Sequence, residues 1–132
     1  MERGGVEGAV ERWRRLATSI HDEVCCSGFD AERGAFVQYC GSKELDAALL
    51  LMPLVGFLPV DDPRVAGTIR AIERELMVEG LVLRYRCREH VEASQPGEGA
   101  FLACSFWLAD VPAMAGRRAD ALAQFERLLA LR

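Results

Sequence analysis

Two stretches of this chain are apolar on almost every side. Glu44–Leu54 (ELDAALLLMPL) loses its polarity after the first turn, and Ala100–Met114 (AFLACSFWLADVPAM) carries one acid. A helix with no polar face is buried on most sides, so each stretch must be covered by other elements. A chain of 132 residues is one domain's worth at most and must find those covers nearby.

The covers are legible as amphipathic segments. From about Val10 to Val24, Trp13, Leu16, Ala17, Ile20 and Val24 recur at helical spacing, and Gly28 follows as a stop. Asp61-Asp62-Pro63 reads as an N-cap followed by proline at the first helical position, where its missing N–H costs nothing. Val65, Ile69, Ile72, Leu76 and Met77 then form one face, and Gly80 ends it. In Ala119–Leu131, the residues Leu122, Phe125, Leu128 and Leu129 point inward. Phe36–Tyr39 and Leu81–Arg86 read as short extended pieces, and Pro112 is a candidate kink.

The order is amphipathic helix, glycine, extended piece, apolar helix, and it occurs twice. Glu44 and Glu98, which open the two apolar stretches, lie 54 residues apart, and the preceding glycines, Gly28 and Gly80, lie 52 apart. That period suits stacked helical hairpins, with apolar inner helices under amphipathic outer ones; two ordinary hairpins alike by chance would look the same.

Composition removes several classes. With 51% hydrophobic residues there is enough apolar surface to offset ordering entropy, so the chain is not intrinsically disordered. A net charge of −4 argues against nucleic acid as a partner, since phosphate binding needs a dense basic surface. The longest uncharged run, Ala47–Val60, holds two prolines and a glycine and is shorter than the roughly 20 apolar residues of a membrane helix. The first eight residues have no apolar core, so they do not read as a secretory signal. Five cysteines, Cys25, Cys26, Cys40, Cys87 and Cys104, form an odd set without a CxxC pair. Buried thiols in a reducing compartment are therefore expected, and with them a cytoplasmic location. No metal site or cofactor is implied: His21 lies on a helix flank and His90 in a polar stretch, neither with a second ligand at suitable spacing.

Four stretches together carry a specific resemblance. They are Glu44-Leu-Asp-Ala-Ala-Leu-Leu-Leu51; Gly56-Phe-Leu-Pro-Val-Asp-Asp-Pro-Arg64 with Thr68-Ile-Arg-Ala-Ile-Glu73; Gly80-Leu-Val-Leu-Arg-Tyr85; and Glu98-Gly-Ala-Phe-Leu-Ala-Cys-Ser-Phe-Trp-Leu108. In this order and spacing the chain resembles the bacterial branch of glycoside hydrolase family 15, the glucoamylase and trehalase-like enzymes, from about Trp13 onward. The tail Gly116-Arg-Arg through Phe125-Glu-Arg-Leu-Leu129 continues it.

The resemblance implies an all-α fold: part of an (α/α)6 barrel, built of stacked hairpins with about five helices and minor short strands. It implies hydrolysis of an α-glucoside with inversion, which needs an acid and a base roughly 6.5–9.5 Å apart to admit a water. The family carries its acid in a Trp-Glu motif and its base in a Leu-x-Glu-Glu motif, and neither motif occurs here. Residues 1–132 thus read as a partial barrel domain, a segment of the hydrolase that is inactive alone. Its expected partners are an α-glucoside sugar in the full-length parent, and either the missing barrel helices or a second copy. A non-enzymatic helical-hairpin interaction module is the alternative. Cys40 stands where the family usually has a tyrosine, although Tyr39 is adjacent.

Four residues are candidates for the sugar site, Arg84 through the resemblance and Asp46, Glu98 and Phe101 through their places at the starts of the apolar helices. Arg84 precedes Tyr85 in an Arg-Tyr pair that faces the sugar in the family, and a planar guanidinium can bond two neighbouring hydroxyls. A structural or surface ion pair is its plain alternative. Asp46 and Glu98 each open an apolar helix, where a carboxylate also stabilises the helix dipole. Phe101, nearest the start of its helix, is the best aromatic platform; Phe106 and Trp107 read as core. Arg84, Asp46 and Glu98 are expected to gather at one mouth of the half-barrel.

Overall fold

The computed structural model describes residues 4–86 and 102–130. In chain order they form α1 (Gly4–Ser27), β1 (Phe29–Asp30), β2 (Ala35–Phe36), a 3-10 turn (Ala47–Leu50) running into α2 (Leu51–Leu54), α3 (Pro63–Leu76), β3 (Met77–Val78), β4 (Leu81–Val82), α4 (Leu102–Met114) and α5 (Arg118–Leu129). The class is all-α as expected. The sequence helix, antiparallel hairpin, helix occurs twice, as α1–β1–β2–α2 and α3–β3–β4–α4.

Both hairpins are set locally. In the first, Phe29 pairs with Phe36 and Asp30 with Ala35. Asp30 Oδ1 accepts the N–H groups of Glu32 and Arg33 at 3.0 and 3.1 Å, an aspartate-driven turn. In the second, Val78 pairs with Leu81, so the turn has two residues, Glu79 (φ 52°) and Gly80 (φ 86°). Two positive φ angles match the right-handed twist of the strands, and glycine supplies one of them without steric cost.

The main core lies around α4, which packs on α5, β4, the 3-10 turn and α2. Leu50, Ile72, Leu76, Val82 and Leu108 are sealed in it. Each such side chain contributes about 1.5–3 kcal/mol of burial. The two apolar segments therefore lie against each other, with α3 and α5 outside them. Asp62 caps α3 by accepting from Arg64 N–H at 2.9 Å, as its Asp-Pro sequence indicates. One turn on, the Thr68 hydroxyl donates to Arg64 C=O at 2.7 Å and accepts the Phe36 N–H at 2.8 Å, tying α3 to the first hairpin.

Four expectations need correction. The helix over 44–54 is shorter: Asp46 is extended (φ −127°, ψ 133°), and helical backbone starts only at Ala47. The reason is tertiary, since Ala47 N–H is taken by Arg84 C=O at 2.7 Å. Of the expected extended pieces, only Phe36 and Leu81–Val82 lie in strands, paired with Phe29–Asp30 and Met77–Val78, which the sequence did not single out as extended. The apolar stripes of α1 and α5 are not inward. Trp13, Leu16 and Ile20 are exposed on α1, and Leu122, Phe125 and Leu129 on α5, where only Leu128 is buried. Nothing among the described residues covers them. Finally, the thiols are not all buried: Cys104 is, Cys25 is half-buried, and Cys26 and Cys40 are exposed. Cys87 lies outside the described residues.

Candidate functional site

The end of β4 and the start of the 3-10 turn meet at one place. Arg84 follows β4 by two residues, and Asp46 precedes the turn by one. Arg84 Nε stands 3.7 Å from Asp46 Oδ2. The other carboxylate oxygen, Oδ1, accepts Ala48 N–H at 2.8 Å, so Asp46 is the cap of the turn. The capping reading of Asp46 is thus realised, while its other oxygen faces Arg84.

The two side chains differ in exposure. Asp46 is held at 13% while Arg84 is 55% exposed, so the carboxylate is fixed and the guanidinium reaches outward. An exposed pair of this kind contributes at most about 1 kcal/mol to stability. Nε faces the carboxylate, and a planar guanidinium keeps two terminal nitrogens as parallel donors, a geometry that suits neighbouring hydroxyls. Tyr85, beside it, is also exposed.

The floor beneath this pair is the N-terminal half of α4. Burial pushes the Cys104 thiol up from its ordinary range, and the Asp46 carboxylate adds to the push while Arg84 opposes it. Next to it Ser105, fully buried, accepts the Val82 N–H at 2.8 Å. That bond ties β4 to α4 and fixes the backbone two residues before Arg84. The sequence reading missed Ser105; its signal was a hydroxyl within an otherwise apolar helix.

Of the four candidates, the structure brings Asp46 and Arg84 together. Glu98 and Phe101 lie outside the described residues. Phe106 is half-buried, edge-on to Phe125 at 5.8 Å, and Trp107 packs on the core, as read from the sequence. A separate open hollow of about 260 Å³ lies between Phe29, Val37, Ser42 and the Lys43–Asp30 ion pair. Among the described residues no three His, Cys, Asp or Glu side chains converge as a metal site would need, and no helix is long and apolar enough to cross a membrane. A single carboxylate with an arginine can bind and orient a sugar. It cannot perform inversion, which uses two carboxyls.

Comparison with known proteins shows the family. The family model for glycosyl hydrolases family 15 matches residues 1–131. A trehalase of Mycobacterium tuberculosis is 44% identical over 128 residues, covering 97% of this chain and 19% of the relative. A trehalase of Thermoplasma volcanium is 42% identical over 104 residues, covering 78% of this chain and 16% of the relative. The chain therefore spans about a fifth of the length of the curated relatives it matches. A solved wild-type glycosidase superposes with a TM-score of 0.72 at 27% identity, over 94% of this chain and 31% of that one. A variant glycosidase in complex with glucose matches equally well.

Proposed function

We propose that this chain, which belongs to glycosyl hydrolase family 15, forms one wall of the α-glucoside pocket of a trehalase-like hydrolase. The observation that carries the reading is the outward-facing Arg84 guanidinium, steered by the capped Asp46 carboxylate. Arg84 holds two sugar hydroxyls, and Asp46 keeps its fork in one orientation. Glu98 and Phe101 are the further candidates for contact with the sugar. The general acid and base come from the Trp-Glu and Leu-x-Glu-Glu segments of the longer family domain. The trehalase relatives favour an α-linked diglucoside over a long glucan.

The exposed stripes of α1 and α5 support a second part of this proposal. They pack against further barrel helices, or against another copy when those are absent. The domain works in the cytoplasm.

The test is complementation. The purified chain alone gives no measurable hydrolysis of trehalose, maltose or an aryl α-glucoside. Without acid and base it lacks two proton transfers, each typically a factor of about 10² to 10⁴. Co-expression with the flanking segments of a family 15 trehalase restores turnover of trehalose. Turnover by the chain alone that disappears in Glu98→Gln would overturn the assignment of the carboxylates.

A further inference from the structure

We propose that Glu75 is a positioning residue for the sugar wall, holding from the end of α3 the two segments that carry Asp46 and Arg84. The role rests on reading that pair as the wall, and it adds a residue outside the pair.

α3 ends at Leu76, and the last carbonyls of a helix have no partner within it. Two of them hold β4 and the residues that follow. Leu76 C=O accepts the Leu83 N–H at 2.8 Å, and Glu75 C=O accepts from Arg86 Nε at 2.6 Å. Arg84 stands between these two bonds, so its backbone is fixed from both sides.

The Glu75 carboxylate serves the other segment. It accepts from Arg33 Nη2, and Arg33 Nη1 donates to Lys43 C=O, three residues before Asp46. Arg33 is itself set by the turn of the first hairpin, through its N–H to Asp30 Oδ1. Lys43 Nζ also donates to Asp30 Oδ2 at 2.9 Å, but through a long exposed side chain that does not fix the backbone. The link from Glu75 through Arg33 to Lys43 C=O does. Ala47 N–H then joins the two segments by its bond to Arg84 C=O.

A solvated ion-pair cluster is the plain reading of Glu75, since Arg74 also pairs with it at 2.7 Å. Exposure separates the two partners. Arg33 and Glu75 are 23% and 29% exposed, against 65% for Arg74. Arg33 Nε is buried and finds no hydrogen-bond partner among the described residues, so the guanidinium stays in place only while Glu75 balances its charge. Without that carboxylate it turns to solvent and releases Lys43 C=O.

The experiment reads amide exchange on this chain, residue by residue, by fragmentation in a mass spectrometer. Ala47 reports the junction, and Val82, whose N–H donates to Ser105, reports the core beside it. Glu75→Ala is expected to raise Ala47 exchange relative to Val82 by about tenfold, the effect of losing a charge-assisted bond. Arg86→Ala raises it from the other side, and Arg74→Ala leaves it as it was. Glu75→Gln keeps one acceptor oxygen, gives a smaller rise, and stands in if alanine lowers the folded fraction. A ratio unmoved by both Glu75 variants, or moved as far by Arg74→Ala, overturns the proposal.

In a full-length family 15 protein carrying this sequence, Glu75→Ala lowers kcat/KM for trehalose by about threefold or more, and has no further effect once Arg84 is replaced by lysine. An equal loss in both backgrounds overturns the positioning role. If Arg84→Lys alone costs nothing, the wall reading fails, and the exchange ratio still decides whether Glu75 holds the two segments.

Discussion

Asp46 and Arg84, 38 residues apart, approach through their side chains to 3.7 Å, and beside them Ala47 N–H donates to Arg84 C=O at 2.7 Å. The backbone bond fixes where the helical turn begins, and the side-chain pair uses that placement. The two roles of Asp46 separate by substitution. Asp46→Asn keeps an oxygen for the Ala48 N–H and loses the charge facing Arg84, so stability changes little. Asp46→Ala also loses the cap and costs about 1 kcal/mol. Denaturant midpoints of the two variants check this; equal midpoints would remove the cap from the account.

Gly67 makes a prediction opposite to helix propensity. Replacing a mid-helix glycine by alanine ordinarily stabilises by about 0.5–1 kcal/mol. Here an added Cβ would stand 2.0 Å from the Gly34 carbonyl oxygen, on the turn of the first hairpin. Backbone cannot retreat as a side chain can, so Gly67→Ala should destabilise by roughly 1–3 kcal/mol. Urea unfolding reads the sign directly.

Acid sensitivity follows from two carboxylates at turn and cap positions. Hydrogen bonds from Arg64 hold Asp62 down from 3.8 to about 2. Asp30 is likewise lowered, chiefly by Lys43. A carboxyl depressed in the folded state adds stability that is complete above its unfolded value and is lost as pH falls through the folded one. Helical circular dichroism should therefore weaken between about pH 4 and pH 2. In Asp62→Asn the stability already lost at neutral pH leaves a shallower fall across that window. An unchanged slope would contradict the assignment.

Exposed apolar stripes make the isolated chain prone to associate. Sedimentation should show a mass that rises with concentration. Phe125→Glu on α5 and Ile20→Glu on α1 should each reduce it, since both residues are about half exposed. A monomer at every concentration would show that these faces need no cover.

How much of this was legible in the sequence depended on range. Asp62-Pro63, the face of α3 from Val65 to Leu76 and the buried character of α4 are local signals and read correctly, whereas Met77, expected on that helix face, belongs to β3. The start of the second helical segment did not, because Ala47 is claimed by Arg84, far along the chain. Periodicity in α1 and α5 showed which face is apolar, but Trp13 and Leu122 could not reveal what covers that face. Cysteine counting excluded a disulfide framework but did not give exposure, so Cys26 and Cys40 were misread as buried. Arg84 was chosen through family resemblance and Asp46 through its place at the start of an apolar segment, and only the fold brings them within 3.7 Å.

The most direct measurement is the activity of Arg84→Lys in a full-length family 15 protein carrying this sequence. Lysine keeps the positive charge beside Asp46 but loses the planar fork that spans two hydroxyls. Because Arg84 is 55% exposed, its ion pair contributes little to folding. The account predicts that kcat/KM for trehalose falls by about tenfold or more while Tm barely moves. Full activity in the lysine variant, or a loss accompanied by an equal fall in thermal stability, would contradict a sugar-holding role for Arg84.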